Sequence, residues 1–547
     1  MTALAAAIAP PPAAAGATTF SRTGDIATLT NGAATVRYDL RLGTMDLDMP
    51  GGAAVRRAYA AAEVRTPAGV RSLRGFAATK RTIDQERFTG PLGRGLRLTV
   101  ANSFSDPSAA LTQTITLLDD KPYVLLRVTV GRAAGAGGDP VATNQIEALA
   151  AGGMTTPPGS VALRPAADAR LYRAPFDNDG DFAVPRAAES QGALSYWLTA
   201  LFDAAGGAGL VAGATETRTW KSAAWFDGPT GSLSLFSGVR TPADTADHGV
   251  RYGDTVSSAE FLVGGYRDYR DGLADLMATM AVREAPLAAP SLPAPIGWNP
   301  WYQYDFRADE GMVRAIADYI AAGPWAGLGY RYVNLDAGWN VTDGDWRANP
   351  ERFPSGMSAL TSYIHGRGLL AGSYFIPFAV APDLLNTPIP GTPYLFRDAV
   401  VKDDSGQPLH AHILDWEYVL DTTHPGALTY LRTSAAGIAA DGFDFVKLDF
   451  LHIGTQEGRR YDPSATGMGR LAEAWRSCAT PSPPRAGRSY LSAAISPLYV
   501  HRVRPRAPHG HGRQLRPRRT AQERGAVLVH GSALPPQRPG QRGRARD

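Results

Sequence analysis

The sequence is poor in cysteine, in lysine and in long apolar runs. A single cysteine, Cys478, among 547 residues excludes an intrachain disulfide and any cysteine-based metal site. No apolar run approaches the roughly 20 residues that a helix needs to cross a bilayer, so neither a transmembrane helix nor a membrane partner is expected. Five lysines stand against 50 arginines, the bias of GC-rich coding DNA. What is present, 44% hydrophobic and 19% charged residues, excludes a disordered or collagenous chain, and the length allows two or three domains.

The two ends differ from the rest. Residues 1–17 (MTALAAAIAPPPAAAGA) have the small-residue texture of a leader but lack a basic start and a long apolar run. They are read as a leader or a disordered segment, which leaves cytoplasmic and secreted locations equally open. Residues 502–547 carry 12 Arg against Glu523 and Asp547, a net of +10, so residues 1–501 hold −6 of the total +4. This Arg/Pro/Gly stretch has almost no aromatic or β-branched residue and is expected to be disordered. Clustered arginines can bind phosphates, but no aromatics interleave with them to stack bases, and no nucleic-acid partner is expected. Arg, Pro, Gly, Ala and His are what GC-rich DNA yields out of frame, so residues 501–547 are read as frame-shifted, with a milder version over 476–488.

Between the ends, two periodicities divide the chain. Over 18–285, segments such as IATLTNGAATVRYDL, GLRLTVANSF, LTQTITLL, YVLLRVTV, LSYWLTALF, LSLFSGV and SAEFLVGGY alternate apolar and polar residues and are broken by Gly, Pro, Asp and Asn. This pattern predicts one large antiparallel β-sandwich. A Pro-rich hinge follows at 286–295. Over 296–500 the pattern becomes strand, loop, helix: IGWNPW, YRYVNLDAGW, GLLAGSYFIPF, FDFVKLDFL and SYLSAAISPL read as strands, DEGMVRAIADYIAAG and GMSALTSYIHGRG as helices. Five of the eight strands of a (β/α)8 TIM-type barrel are thus expected, an incomplete barrel with two exposed edges.

Catalytic groups of such barrels sit at the C-terminal ends of the strands. In FDFVKLDFL, alternation puts Phe445, Lys447 and Asp449 on one face and Val446, Leu448 and Phe450 on the other. The apolar face suits the helical shell, so Lys447 and Asp449 face the barrel axis, where an ion pair is costly to desolvate unless tightly coordinated. Two readings stand: a structural salt bridge, or an Asp nucleophile kept ionised by the neighbouring Lys. On the second strand Tyr332, Asn334 and Asp336 share a face, and Asp336 could accept from two sugar hydroxyls. Trp298, Trp301, Trp339 and Trp346 fall near the same rim. Singly each could be core; together they suit the C–H face of a pyranose.

Other polar clusters weigh less. FDNDGDF (176–182) is dense in carboxylates, but Gly180 falls at position four of a calcium loop and the acid at position twelve is missing. It is read as a sandwich loop reaching the barrel mouth, with Asp177 and Asp179 helping to form the substrate pocket, or as an ordinary turn. His410, His412, His424 and His452 lack a metal-binding spacing, and Asp421 is assigned to loop stabilisation. No metal or organic cofactor is expected.

With GWNPWYQYDF, YVNLDAGWN, RFPSGMSALTSYIHGRGLLAGSYFIPF, VLDTTHPGALTYL and FDFVKLDFL, the chain resembles the retaining α-galactosidases of glycoside hydrolase families 27 and 36, the melibiases, up to about Tyr499. The resemblance implies the family 36 order: a β-sandwich, a (β/α)8 barrel, then a small β-domain. It implies a retaining exo-glycosidase acting on galactoside-type oligosaccharides, with Asp449 as nucleophile, Lys447 as a ligand of substrate hydroxyls, Asp336 contacting the axial 4-OH and Trp298 as a pocket wall. The sequence departs from the family twice. Ala337 stands where many relatives have a second aspartate, which would tolerate a changed C5 substituent, as in β-L-arabinopyranosides. The acid/base aspartate expected 50 to 70 residues beyond the nucleophile is not found, since beyond Glu473 the acidic residues are Glu523 and Asp547. Loss of general-acid help would slow the first step by about 10²- to 10⁴-fold, so the chain is expected to be inactive; a noncatalytic carbohydrate-binding relative is the alternative.

Overall fold

The computed structural model describes residues 16–105, 109–132, 140–163, 168–177, 180–239, 248–284, 295–412, 414, 416–478 and 490–493. The leader up to residue 15, hinge residues 286–294, most of 476–488 and the tail after His501 lie outside the described residues. The protein is multidomain, with largely antiparallel β-sheets in its N-terminal part.

Two antiparallel sheets of twelve and nine strands pack face to face. Their period-two sequences place one side chain of each pair inward. In Ala109–Leu118, for example, Leu111, Gln113, Ile115 and Leu117 are buried, with Ile115 opposite Leu98 on one neighbour and Leu126 on the other. Leu47, Val55, Ile146 and Leu149 meet them from the facing sheet in one apolar core. The one polar residue of that inward row, Gln113, reaches across the layers, its side-chain NH2 donating to the Ala148 carbonyl at 3.4 Å while its Oε1 is buried without a partner.

Two features depart from an all-strand reading of 18–285. LSYWLTALF is not one strand: Ala193–Tyr196 belongs to the larger sheet and Leu198–Asp203 to the smaller. The chain changes sheet at Trp197, whose φ of 68° lies in the left-handed region, a costly conformation for a bulky residue. Its buried indole is held by a 2.8 Å hydrogen bond to the Phe176 carbonyl. The second departure is a helix, Tyr269–Glu284, whose Leu276 and Met280 pack on Val211 and Leu262 of the smaller sheet. The segment DGLADLMATM spaces its apolar residues by three and four, a helical rather than a strand period.

The C-terminal part contains a parallel five-stranded sheet in chain order: Ile296–Trp298, Tyr330–Asn334, Leu370–Phe375, Phe445–Leu448 and Tyr490–Ala493. These are the five segments read as barrel strands from the sequence. Helices Glu310–Ala322, Met357–Gly366, Pro425–Ala440 and Gly467–Cys478 alternate with them. The first of these starts where Asp309 accepts from the Met312 N–H at 2.8 Å, an N-cap, and buries Val313, Ala317 and Ile320 on one face. Between the third and fourth strands, a long excursion forms a small hairpin-like pairing of Ala379–Val380 with Tyr418–Val419.

One apolar cluster joins the two parts. Tyr196, Trp197, Ala223 and Phe236 of the sandwich pack with Val333, Leu335, Phe375 and Leu448 of the parallel sheet. Among the described residues, no helix is long and apolar enough to cross a membrane.

Candidate active site

The site forms where the second and fourth parallel strands end. Asp449 follows Phe445–Leu448 directly, its N–H donating to the Phe375 carbonyl at 3.0 Å, so the third strand fixes the backbone from which the carboxylate projects. The next residue, Phe450, has a φ of 52°, in the left-handed region that non-glycine residues rarely adopt. This sharp turn lets the Phe450 N–H donate to Asp449 Oδ1 at 3.0 Å.

Lys447 Nζ lies 2.9 Å from Asp449 Oδ2 and 3.0 Å from Asp336 Oδ2. Asp336, two residues past the second strand, receives a further 2.7 Å hydrogen bond from the Asn299 side-chain amide and one of 2.9 Å from the Ala337 N–H to its other oxygen. Both carboxylates are almost fully buried, at 4% and 5% exposure. Burial works against the Lys447 ammonium, but Asp336 and Asp449 override it and hold the group above the ordinary lysine value. One cation between two buried carboxylates leaves the cluster net negative, with oxygens that can accept hydrogen bonds from hydroxyls.

Tyr374 forms the floor. Its ring lies 5.4 Å from Lys447 Nζ. Burial, then the carboxylates of Asp343, Asp449, Asp336 and Glu417, raise its hydroxyl well above the usual tyrosine range. Asp343 and Glu417 were not singled out in the sequence. Burial and then the Asp343 side chain push Glu417 up to about 9. Asn299 and Tyr374 also escaped notice; Asn299 directly follows Trp298, and Tyr374 lies on the inward face of GLLAGSYFIPF, which period-two alternation could have shown.

The four tryptophans divide. Trp298 and Trp301 are half-buried, Trp298 with its ring 6.3 Å from Tyr304. Trp339 and Trp346 lie in the core, which corrects the expectation of a sugar face at the rim. Trp339 is 1% exposed, packs against Trp346 and Phe443 and donates to the Tyr374 carbonyl at 3.0 Å. Trp346 packs edge-on against Phe375 and donates to the Tyr430 hydroxyl at 2.7 Å. Burial of both faces with the N–H satisfied leaves neither ring a surface for ligand.

Asp177 is half-buried in a turn, its Oδ1 accepting from the Gly180 N–H at 3.2 Å, while Phe176 beside it packs on Tyr196 and Trp197 at the junction of the two parts. Asp179 lies outside the described residues. Asp421 accepts from the Thr423 and Tyr461 N–H groups at 2.9 and 2.6 Å and lies 3.6 Å from Arg460, a loop-tying role. His424 caps helix Pro425–Ala440 through Nδ1, which accepts from the Gly426 N–H, and His410 packs at a tilt against Tyr418. No group of three or more His, Cys, Asp or Glu among the described residues is placed to hold a metal ion.

Comparison with known proteins points one way. Residues 304–378 match the family model described as alpha galactosidase A. The alpha-galactosidase of Coffea arabica is 39% identical over 87 residues, 15% of this chain and 23% of that one. Alpha-galactosidase A of Cellvibrio japonicus is 39% identical over 82 residues, 14% of this chain and 20% of that one. The matched segment thus spans less than a quarter of these relatives' length. The segment matched by the family model includes Asp336 and Tyr374 but stops before Lys447 and Asp449. The GH36 alpha-galactosidase AgaA of Geobacillus stearothermophilus shares the fold, with a TM-score of 0.55 at 14% identity over 87% of this chain and 72% of that one. Through residues 304–378, the chain is similar to the α-galactosidase family.

Proposed function

We propose that this chain is built as a retaining exo-glycosidase for terminal α-galactosyl or closely related residues of oligosaccharides, on an incomplete (β/α) barrel. The observation that carries this reading is the Lys447 ammonium between Asp336 and Asp449, at 3.0 and 2.9 Å. Asp449 would attack the anomeric carbon as the aglycone leaves, forming a glycosyl–enzyme ester that water then cleaves with retained configuration. Lys447 and Asp336 would take the glycone hydroxyls, with Trp298 as a wall and Asp177 and Asp179 as further substrate-binding residues. A variant of the same GH36 relative was solved in complex with raffinose, an α-galactoside of the kind we assign here. Ala337 fits a glycone lacking a group at C5 as well as galactose.

A retaining pair also needs an acid/base carboxyl about 5 Å from the nucleophile. Asp336 is unsuited to give a proton, because Lys447 and Asn299 both donate to it. With no acid/base assigned, turnover is proposed to be abolished or slowed by about 10²- to 10⁴-fold, and this same observation favours the second reading, a carbohydrate-binding relative. Hydrolysis of an aryl α-galactoside, beside calorimetric binding of galactose, separates them. Turnover that disappears in Asp449→Asn supports the glycosidase; binding without turnover in either protein supports the second reading; full turnover in Asp449→Asn removes Asp449 from the mechanism.

A further inference from the structure

Lys221 is a lysine from which water is excluded, at 2% side-chain exposure, at the junction of sandwich and parallel sheet. It stands just before sandwich strand Ser222–Asp227, and its carbonyl accepts from the Gly238 N–H at 2.8 Å. Its ammonium lies 4.0 Å from Glu457 Oε1 and 5.8 Å from the centroid of the Phe176 ring. A buried ammonium is tolerated only against a compensating charge, and Glu457 supplies one from the other part of the molecule.

Glu457 lies eight residues beyond Asp449. The intervening chain includes the turn Leu451–Thr455, all five residues of which are buried, so little slack separates the two carboxylates along the chain. Both Glu457 oxygens also accept from the Gly467 N–H, at 3.1 and 3.0 Å, at the start of helix Gly467–Cys478. The sandwich comes close to the same carboxylate a second time: a Cβ on Gly249 would stand 2.7 Å from Glu457 Oε2. The adjacent His248 stacks on Trp220 with ring centroids 4.5 Å apart. Burial holds His248 near 4 against the pull of Glu457; it is neutral at pH 7, and the charge facing Glu457 is that of Lys221.

We propose that Lys221 is a positioning residue: paired with Glu457 and resting on Phe176, it locks the sandwich to the loop that follows Asp449, so the sandwich holds the sugar site in shape. This rests on the galactoside reading of that site. Lys221 acts on one side on the segment carrying Phe176 and Asp177 and on the other on the segment that begins at Asp449.

The test uses the full chain as Lys221→Met, Glu457→Gln, the double variant and Lys221→Arg. Binding of 1-deoxygalactonojirimycin is read by calorimetry at neutral pH and unfolding by tryptophan fluorescence. Lys221→Met is expected to weaken binding about tenfold, because it leaves the Glu457 carboxylate buried without its cation. Adding Glu457→Gln should restore binding to within about threefold, and Lys221→Arg should keep it. Unchanged binding in Lys221→Met overturns the proposal, as do losses that add in the double variant, since addition would mean the two residues act separately. If Lys221→Met does not fold, the double variant and Lys221→Arg carry the test. If the parent does not bind the iminosugar, the galactoside reading fails, and the lock is judged by unfolding. One cooperative transition in the parent that splits in two in Lys221→Met, and is single again in the double variant, upholds it; one unshifted transition in all four overturns it.

Discussion

Lys447 and Asp336, 111 residues apart in the chain, meet at 3.0 Å across the mouth of the parallel sheet. The same ammonium reaches Asp449 at 2.9 Å, so one side chain ties the end of the second strand to the end of the fourth. Without it, two buried carboxylates would face each other.

Lys447→Met is therefore expected to cost about 3 kcal/mol of stability and to abolish galactoside binding. Asp336→Asn, which keeps the shape and removes one charge, should cost less in stability and still lose binding. Urea unfolding and calorimetry on the same preparations check both.

Trp339 and Trp298 should separate stability from recognition. Trp339→Ala removes a ring from the core and is expected to destabilise by about 3–5 kcal/mol. Trp298→Ala, at a half-buried ring on the rim, is expected to weaken galactose binding about tenfold, ~1.4 kcal/mol, with a much smaller loss of stability. Equal loss of stability in the two would count against Trp298 as a pocket wall.

Glu417, pushed up to about 9 by burial and by Asp343, gives the fold a slope with pH. Between its ordinary value of 4.5 and about 9 the folded chain holds a proton that the unfolded chain has released, so this contribution is complete below 4.5 and is lost as pH rises towards 9, by up to about 1.4 kcal/mol per pH unit. Glu417→Gln should flatten this slope. Urea midpoints at pH 5, 7 and 9 for both proteins show whether it does.

His248 acts in the opposite direction. Burial, reinforced by Lys221, lowers it from 6.5 to about 4 against Glu457, so between these values the unfolded chain binds the extra proton. Its contribution is complete above 6.5 and is lost as pH falls towards 4. Unfolding midpoints at pH 7, 5.5 and 4.5 should fall in the parent and fall less steeply in His248→Gln.

The parallel strands and the Lys447/Asp449 pair could be read from the sequence because both depend on a local rule: alternation along FDFVKLDFL places the charges on one face whatever surrounds the strand. Residue type carried no such direction for the tryptophans. Trp339 and Trp346 read like Trp298 in sequence, and only the packing of Phe375, Phe443 and Tyr430 against them shows which rings are core. The change of sheet at Trp197 was equally hidden, since LSYWLTALF alternates like a single strand and the left-handed residue in its middle is bulky rather than glycine.

The sequence by itself determined the order of an antiparallel part and a parallel part, five parallel segments, and a charged face at the end of the fourth, because in-and-out periodicity and turn residues act over a few neighbouring positions. Tertiary structure alone decided which distant groups share a charge. Asp336 with Lys447, Asp343 with Glu417 and Lys221 with Glu457 come together only when strands and layers close, and burial then turns these juxtapositions into strong interactions, because removing water from a charge makes its nearest partner matter.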